Sequence, residues 1–147
     1  MADFVSLDAC AKVLRGSIDV TSATIRCICV GPSFDGTDED EYVGDITTLD
    51  ECSVSGYTAG HGEAGRLQLS TITGNEDWTN NEYEWSAATF GWTLAAGFTV
   101  NGVLLAIEGT SNDTDAQVIR FMDLTDTATN GGRITVTPAT FLKVTYS

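Results

Sequence analysis

The residue type best suited to acid–base catalysis near neutral pH, histidine, occurs once, as His61 in the glycine-flanked sequence 60–63. A catalytic histidine acts together with an orienting carboxylate and a nucleophile. The sequence contains no Gly-x-Ser-x-Gly elbow, phosphate-binding loop, dinucleotide fingerprint or His-Glu-x-x-His motif. His61 is therefore predicted to be an exposed loop residue, and the chain is predicted not to be an enzyme.

A run of acids at residues 35–41 is the stretch whose composition best suits a hard cation. The acids are Asp35, Asp38, Glu39, Asp40 and Glu41. Their spacing does not match that of an EF-hand loop. A calcium loop of another kind remains open beside two alternatives, a solvated loop and a contact for a basic patch on a partner. No cofactor or metal is predicted.

The four cysteines are Cys10, Cys27, Cys29 and Cys52. Cys27 and Cys29 are two positions apart in an apolar run, so they share one face of a strand and are predicted to be small buried residues. This spacing does not fit the Cys-x2–4-Cys pairs of zinc sites. A disulfide between Cys10 and Cys52 remains open, although synthesis in the cytoplasm argues against it.

Aromatic residues are concentrated at Trp78, Tyr83, Trp85, Phe90 and Trp92. Alternation along a strand favours a core position for Trp85 and a loop position for Trp78. Rigid aromatic side chains also serve as interface anchors or as platforms for sugars, and both uses remain open.

Composition restricts the classes of function. The 147 residues are predicted to form one domain, and the 42% hydrophobic content is typical of a globular protein. The net charge of −14 argues against nucleic acid as a partner and suits docking on a basic surface. No apolar run is long enough to span a membrane, and the acidic N-terminal stretch does not resemble a secretory signal.

The elements that would position these residues are predicted to be mainly strands. One helix is expected over about residues 3–15, with Asp3 as its cap and Gly16 just beyond its end. Strands are expected at about residues 24–30, 51–54, 66–72, 83–92, 93–100, 103–108, 117–124, 133–137 and 142–146, where 83–92 and 93–100 are either two strands or one long bent strand. The pair Asn101-Gly102 predicts a hairpin turn between two of them. The predicted fold is an antiparallel β-sandwich or barrel-like domain of about eight strands, spanning residues 1–147, with one N-terminal helix.

Several segments, taken in order, resemble a family of small structural proteins of tailed bacteriophages. The helix runs into Leu-Arg-Gly-Ser-Ile-Asp-Val at residues 14–20, and the strand at 24–30 follows. Next come Ser-Gly-Tyr-Thr-Ala-Gly at 55–60, Trp-Ser-Ala-Ala-Thr at 85–89 and a strand, Gly-Gly turn and strand over 118–137. The sequence at 61–65 departs from the family pattern, in which a strand follows directly.

The resemblance implies a decoration, or cement, protein on the outside of the virion capsid, made in the host cytoplasm. Its expected partners are the major capsid protein and further copies of itself, in a trimer or another homo-oligomer; neither nucleic acid nor membrane is expected. A tail, connector or fibre-base protein and a carbohydrate-binding adhesion module are the alternatives. The predicted interface residues are Asp35, Asp38, Glu39, Asp40, Glu41, Tyr42, Tyr57, His61, Glu63 and Trp78.

Overall fold

The fold is mainly β, as predicted, with ten strands and one α-helix in the part of the chain that the structure describes. The structure is a computed structural model, and it describes residues 2–145. The strands are β1 (Phe4–Val5), β2 (Ile25–Val30), β3 (Leu67–Gln68), β4 (Thr73–Asp77), β5 (Glu82–Ser86), β6 (Phe90–Thr93), β7 (Thr99–Ile107), β8 (Gln117–Ala128), β9 (Arg133–Val136) and β10 (Leu142–Thr145). The helix is α1 (Leu7–Leu14), and a single 3-10 turn covers Val43–Asp45.

All strand pairs are antiparallel and form three sheets. The largest sheet has five strands in the order β1-β8-β7-β2-β3. A second sheet has the order β10-β5-β4, and a third consists of β6 and β9. The aromatic-rich stretch at 83–92 therefore divides into two strands, β5 and β6, that belong to different sheets.

One face of the large sheet packs against the two smaller sheets. Ile25, Cys27 and Cys29 alternate along β2 and project into this core, as the period-two pattern predicts. Trp92 of β6 and Leu142 of β10 reach the same core from the other side. This layered packing confirms the expected sandwich-like fold.

The opposite face of the large sheet is covered by residues 33–50, which include the run of acids at 35–41. Phe34, Val43 and Ile46 from this stretch are buried against Ile28 and Phe121 of the sheet. The rings of Phe34 and Phe121 are stacked with centroids 4.8 Å apart. Burying each such side chain contributes about 1.5–3 kcal/mol, so the stretch is an integral layer of the fold.

The helix begins later than predicted. Phe4–Val5 is a strand paired with β8, and the Asp3 carboxylate accepts a hydrogen bond from Arg120 Nη2 at 2.6 Å, so Asp3 is not the cap. Ser6 is the N-cap, and its hydroxyl accepts a first-turn backbone N–H at 3.3 Å. Gly16, at φ 70°, ends the helix as predicted.

The hairpin turn predicted at Asn101-Gly102 is wrong, because both residues lie inside β7. A Cβ on Gly102 would clash with the Phe121 ring, so glycine allows the ring to pack on the strand. The buried Asn101 amide donates to Asp126 Oδ1 at 2.8 Å. A register irregularity between Val100 and Gly102 marks the site, and β7 joins the last two residues of the strand predicted at 93–100 to the strand predicted at 103–108.

Other strand limits also differ from the prediction. Strand β4 is not predicted, because it is built from residue types that are rare in strands. A tight turn places this strand beside β5. In the turn, Asp77 accepts a backbone N–H at 2.9 Å and Asn81 adopts a left-handed conformation at φ 54°. The strand expected at 66–72 is only the two residues of β3. The final strand is predicted to extend to Tyr146, which lies outside the described residues.

Candidate functional site

The acidic segment, defined here as residues 35–45, is fixed to the body of the protein by backbone hydrogen bonds. Val43 N donates to Ala116 O at 2.8 Å, and Val118 N donates to Glu41 O at 3.0 Å. The first N–H of α1 donates to Asp38 O at 3.1 Å. The segment is thereby tied to β8 and α1, and its acids occupy defined positions.

Four acids of the segment stabilise its own conformation. Asp35, Asp40 and Asp45 each accept a backbone N–H, at 2.7 Å, 2.6 Å and 3.0 Å. Glu41 forms an ion pair with Lys12 at 2.8 Å, and this hydrogen bond lowers the pKa of Glu41. The Lys12 ammonium also lies 5.5 Å from the centroid of the half-buried Tyr42 ring. These five residues of the segment therefore have structural contacts within the molecule.

Asp38 and Glu39 are different, because both are exposed. Their carboxylates make no hydrogen bond or ion pair with the rest of residues 2–145. Two adjacent free carboxylates at fixed positions suit a basic group on a partner.

Metal binding finds no support in the described part of the chain. No group of three or more His, Cys, Asp or Glu side chains is placed there to hold an ion. The calcium-loop alternative therefore lacks a set of ligands among these residues. Within residues 2–145, none of the helical structure is long and apolar enough to cross a bilayer.

A buried ionic network connects the loop at 60–65 to the large sheet. Arg66 contacts Glu51 through Nε at 2.8 Å and Nη2 at 2.6 Å, and it contacts Asp113 through Nη1 at 2.5 Å. Glu51 also accepts hydrogen bonds from the Tyr57 hydroxyl at 2.8 Å and the Gly60 N–H at 3.3 Å. The guanidinium is almost fully buried, so the network is structural in character. No local sequence pattern predicts this network, because its partners are 15 and 47 positions apart in the chain.

The predicted interface residues of this region lie in three different environments. Tyr57 is buried against Trp92, with ring centroids 6.0 Å apart, and presents little surface to a partner. His61 is half-buried rather than exposed, because its Nε2 lies 2.9 Å from Gly109 O. No carboxylate or nucleophile among the described residues is hydrogen-bonded to its ring. Glu63 is exposed.

The three tryptophans do not form a common exposed platform. Trp78 is 73% exposed in the β4–β5 turn, whereas Trp92 is 4% exposed in the core. Trp85 is half-buried and lies against Tyr83, with centroids 4.5 Å apart and ring planes inclined by 52°. The loop position predicted for Trp78 is confirmed, and Trp85 packs on the edge of the core.

The four cysteines are free thiols, so the disulfide left open between Cys10 and Cys52 is not formed. Cys27, Cys29 and Cys52 are buried, as predicted for the first two. Burial raises the pKa of all three thiols. They behave as small apolar residues of the core.

Comparison with known proteins provides no relative from which a function could be transferred. No family model, no curated protein and no solved structure matches the chain. The resemblance to phage structural proteins stays a prediction, and the functional assignment rests on the surface chemistry described above.

Proposed function

We propose that this chain is a structural protein of a tailed-bacteriophage particle that decorates the outside of the major capsid shell. The observation that supports the proposal is the construction of the acidic segment. Val43 within it, and Phe34 and Ile46 next to its two ends, are buried on the sheet, whereas Asp38 and Glu39 are exposed and their carboxylates have no partner within residues 2–145. A display fixed in this way loses less conformational entropy on docking than a flexible loop does.

The charge of the whole chain agrees with a position outside the shell. It carries 21 acids against 7 bases, so a packaged nucleic acid would repel it. A basic patch on the major capsid protein is the partner that these acids suit, and complementary charge favours its encounter. A copy that bridges several capsid subunits binds with a higher overall affinity because its contacts are linked, even where each contact is weak.

Replacing the free acids tests the proposed contact. Asp38→Asn combined with Glu39→Gln removes two charges and no internal hydrogen bond, so attachment to capsids should weaken and depend less on salt. Asp40→Asn is less suitable, because Asp40 holds a turn of the segment. Glu84→Gln with Asp126→Asn is the matched control, since it removes two charges elsewhere and each introduced amide keeps an oxygen for the one hydrogen bond that the carboxylate accepts.

Quantitative mass spectrometry of purified particles gives the first measurement, the copy number per major capsid subunit. A ratio near one, or hundreds of copies per particle, agrees with decoration of the shell. A handful of copies indicates the tail or connector, and absence from particles contradicts a virion role. If the double variant at positions 38 and 39 attaches as well as the control variant does, the acidic segment is not the docking surface.

A further inference from the structure

A shallow apolar groove of about 310 Å³ lies between the end of α1 and the sheet formed by β10, β5 and β4. Its apolar lining comprises Val13 and Leu14 of α1, Ile18 and Val20 of the following segment, Tyr83 and Trp85 of β5, and Val144 of β10. Asp19 is at its rim. The volume is at the lower end of the range for ligand pockets, about 300–1,000 Å³, and suits one or two side chains.

The floor of the groove is preorganised and exposed. Leu14 is 68% exposed at the groove, and no side chain within residues 2–145 covers it. Tyr83 and Trp85 lie side by side, and a Cβ on Gly74 would clash with the Tyr83 hydroxyl. Glycine at this position of β4 therefore allows the tyrosine ring to lie across the strand. An apolar ligand group would contact a surface that is already formed.

The charges around the groove are acidic. The Asp19 carboxylate accepts the Thr21 hydroxyl at 2.6 Å and the Thr21 N–H at 3.0 Å, and these hydrogen bonds hold its pKa below the usual range. Glu76 is opposite Tyr83 in the β4–β5 register, so it lies on the groove face of the sheet. Glu76 is exposed and has no ion pair within residues 2–145.

No lysine or arginine of the described chain lines the groove. Lys143 precedes Val144 in β10 and therefore projects from the opposite face, where it pairs with Glu82 at 3.0 Å. Arg15 follows Leu14 at the end of α1 and is not part of the lining. The groove thus combines an apolar floor with two carboxylates that lack a cationic partner in this part of the chain.

We propose that the groove binds a peptide segment of a partner protein in which an aliphatic side chain is flanked by lysine or arginine. The aliphatic group covers Leu14, Tyr83 and Trp85, and the cations approach Asp19 and Glu76. A guanidinium or ammonium over an aromatic ring gains a further cation–π attraction. This site is separate from the acidic segment and does not depend on a capsid role.

Fluorescence anisotropy with three labelled peptides tests the proposal. The probe is acetyl-Gly-Ser-Arg-Leu-Lys-Leu-Arg-Ser-Gly-amide, compared with a version with glutamate at the three basic positions and a version with serine at both leucines. At about 50 mM salt, the basic peptide should bind at least about tenfold more tightly than the acidic one. The serine version should bind at least about fivefold more weakly than the probe.

Two leucines of α1 provide a matched pair of variants. Leu14→Ser should weaken binding of the basic peptide at least about fivefold. Leu7→Ser should leave it unchanged, because Leu7 is similarly exposed, at 63%, and lies outside the groove. Asp19→Asn with Glu76→Gln should reduce the preference for the basic over the acidic peptide, and the asparagine introduced at position 19 retains an acceptor for the local turn.

Several results would overturn the proposal. These are no detectable binding of the basic peptide at about 1 mM, equal binding of the acidic peptide, or equal effects of Leu14→Ser and Leu7→Ser. Self-association that light scattering detects in the wild type and Leu7→Ser, but not in Leu14→Ser, would place a second copy in the groove instead. The double variant at positions 38 and 39 should retain peptide binding, which separates this inference from the proposed capsid contact.

Discussion

Replacing Arg66 by alanine tests whether the buried network holds the loop at 60–65 to the sheet. Arg66 contributes two contacts to Glu51, at 2.8 and 2.6 Å, and two to Asp113, at 2.5 and 3.0 Å. The Asp113 side chain is 29% exposed, so water can replace the lost donors. The Glu51 side chain is 9% exposed and would keep only the donors of Tyr57 and Gly60.

The cost of Arg66→Ala therefore arises mainly from the charge left on Glu51. Removing one partner of a buried ion pair costs about 3–5 kcal/mol, a large fraction of the roughly 5–15 kcal/mol by which domains are stable. Asp113→Asn should cost only about 0.5–1.5 kcal/mol, because that carboxylate is partly hydrated. Arg66→Met with Glu51→Gln removes both charges, and the introduced glutamine still accepts from Tyr57, so at least about 2 kcal/mol of the loss should be recovered.

Urea unfolding followed by tryptophan fluorescence measures these free energies, provided that the dependence on urea is similar in all variants. The stabilising role of the buried network is refuted if Arg66→Ala lowers the free energy of unfolding by less than about 1 kcal/mol, the contribution of an exposed ion pair. It is also refuted if the double variant, Arg66→Met with Glu51→Gln, is no more stable than the alanine variant. Limited proteolysis at residues 60–65 then shows whether the loop has been released.

Three further outcomes follow from burial. Phe34→Ala should cost about 3–5 kcal/mol in urea unfolding and expose residues 35–45 to limited proteolysis, whereas equal protease resistance would contradict the anchoring role. Burial raises the pKa of Tyr57 above its usual value. The stabilisation of the folded state by its protonated hydroxyl is therefore complete below about pH 10 and is lost as the pH rises further. The urea midpoint should consequently fall as the pH rises from about 9 to about 11, and fall less in Tyr57→Phe. Ellman's reagent at about pH 8 should react first with the half-buried Cys10 and label the other three thiols only after unfolding, because burial suppresses their thiolates.

Local patterns in the sequence were sufficient to predict the fold class and several elements. The alternation along β2 and the stop at Gly16 depend on neighbouring residues alone, and both are confirmed. Asn101-Gly102 has the local chemistry of a hairpin turn, yet packing of the Phe121 ring and the Asp126 hydrogen bond place it inside a strand. The preference of individual residues for turns or strands is weak, and tertiary contacts such as these override it.

The buried network and the groove depend on contacts between residues that are far apart in the sequence. Arg66 meets Glu51 and Asp113 from 15 and 47 positions away, and no local pattern predicts which acids will face one buried guanidinium. The groove likewise requires the end of α1 to meet β5, a strand whose partner β4 is poor in strand-forming residues. The anchoring of the acidic segment had a visible signal in the sequence, since Phe34 directly precedes its first acid and Val43 lies between Glu41 and Asp45.

Stability and attachment should respond differently to changes at Asp38 and Glu39. Residues that anchor the acidic segment stabilise the fold, so replacing them must reduce stability. Asp38 and Glu39 make no stabilising side-chain contact with residues 2–145, and their adjacent like charges in a chain of net charge −14 oppose compaction. Their neutralisation should leave the urea midpoint equal or slightly raised. A loss of attachment without a loss of stability would then identify these carboxylates as serving a partner and not the fold.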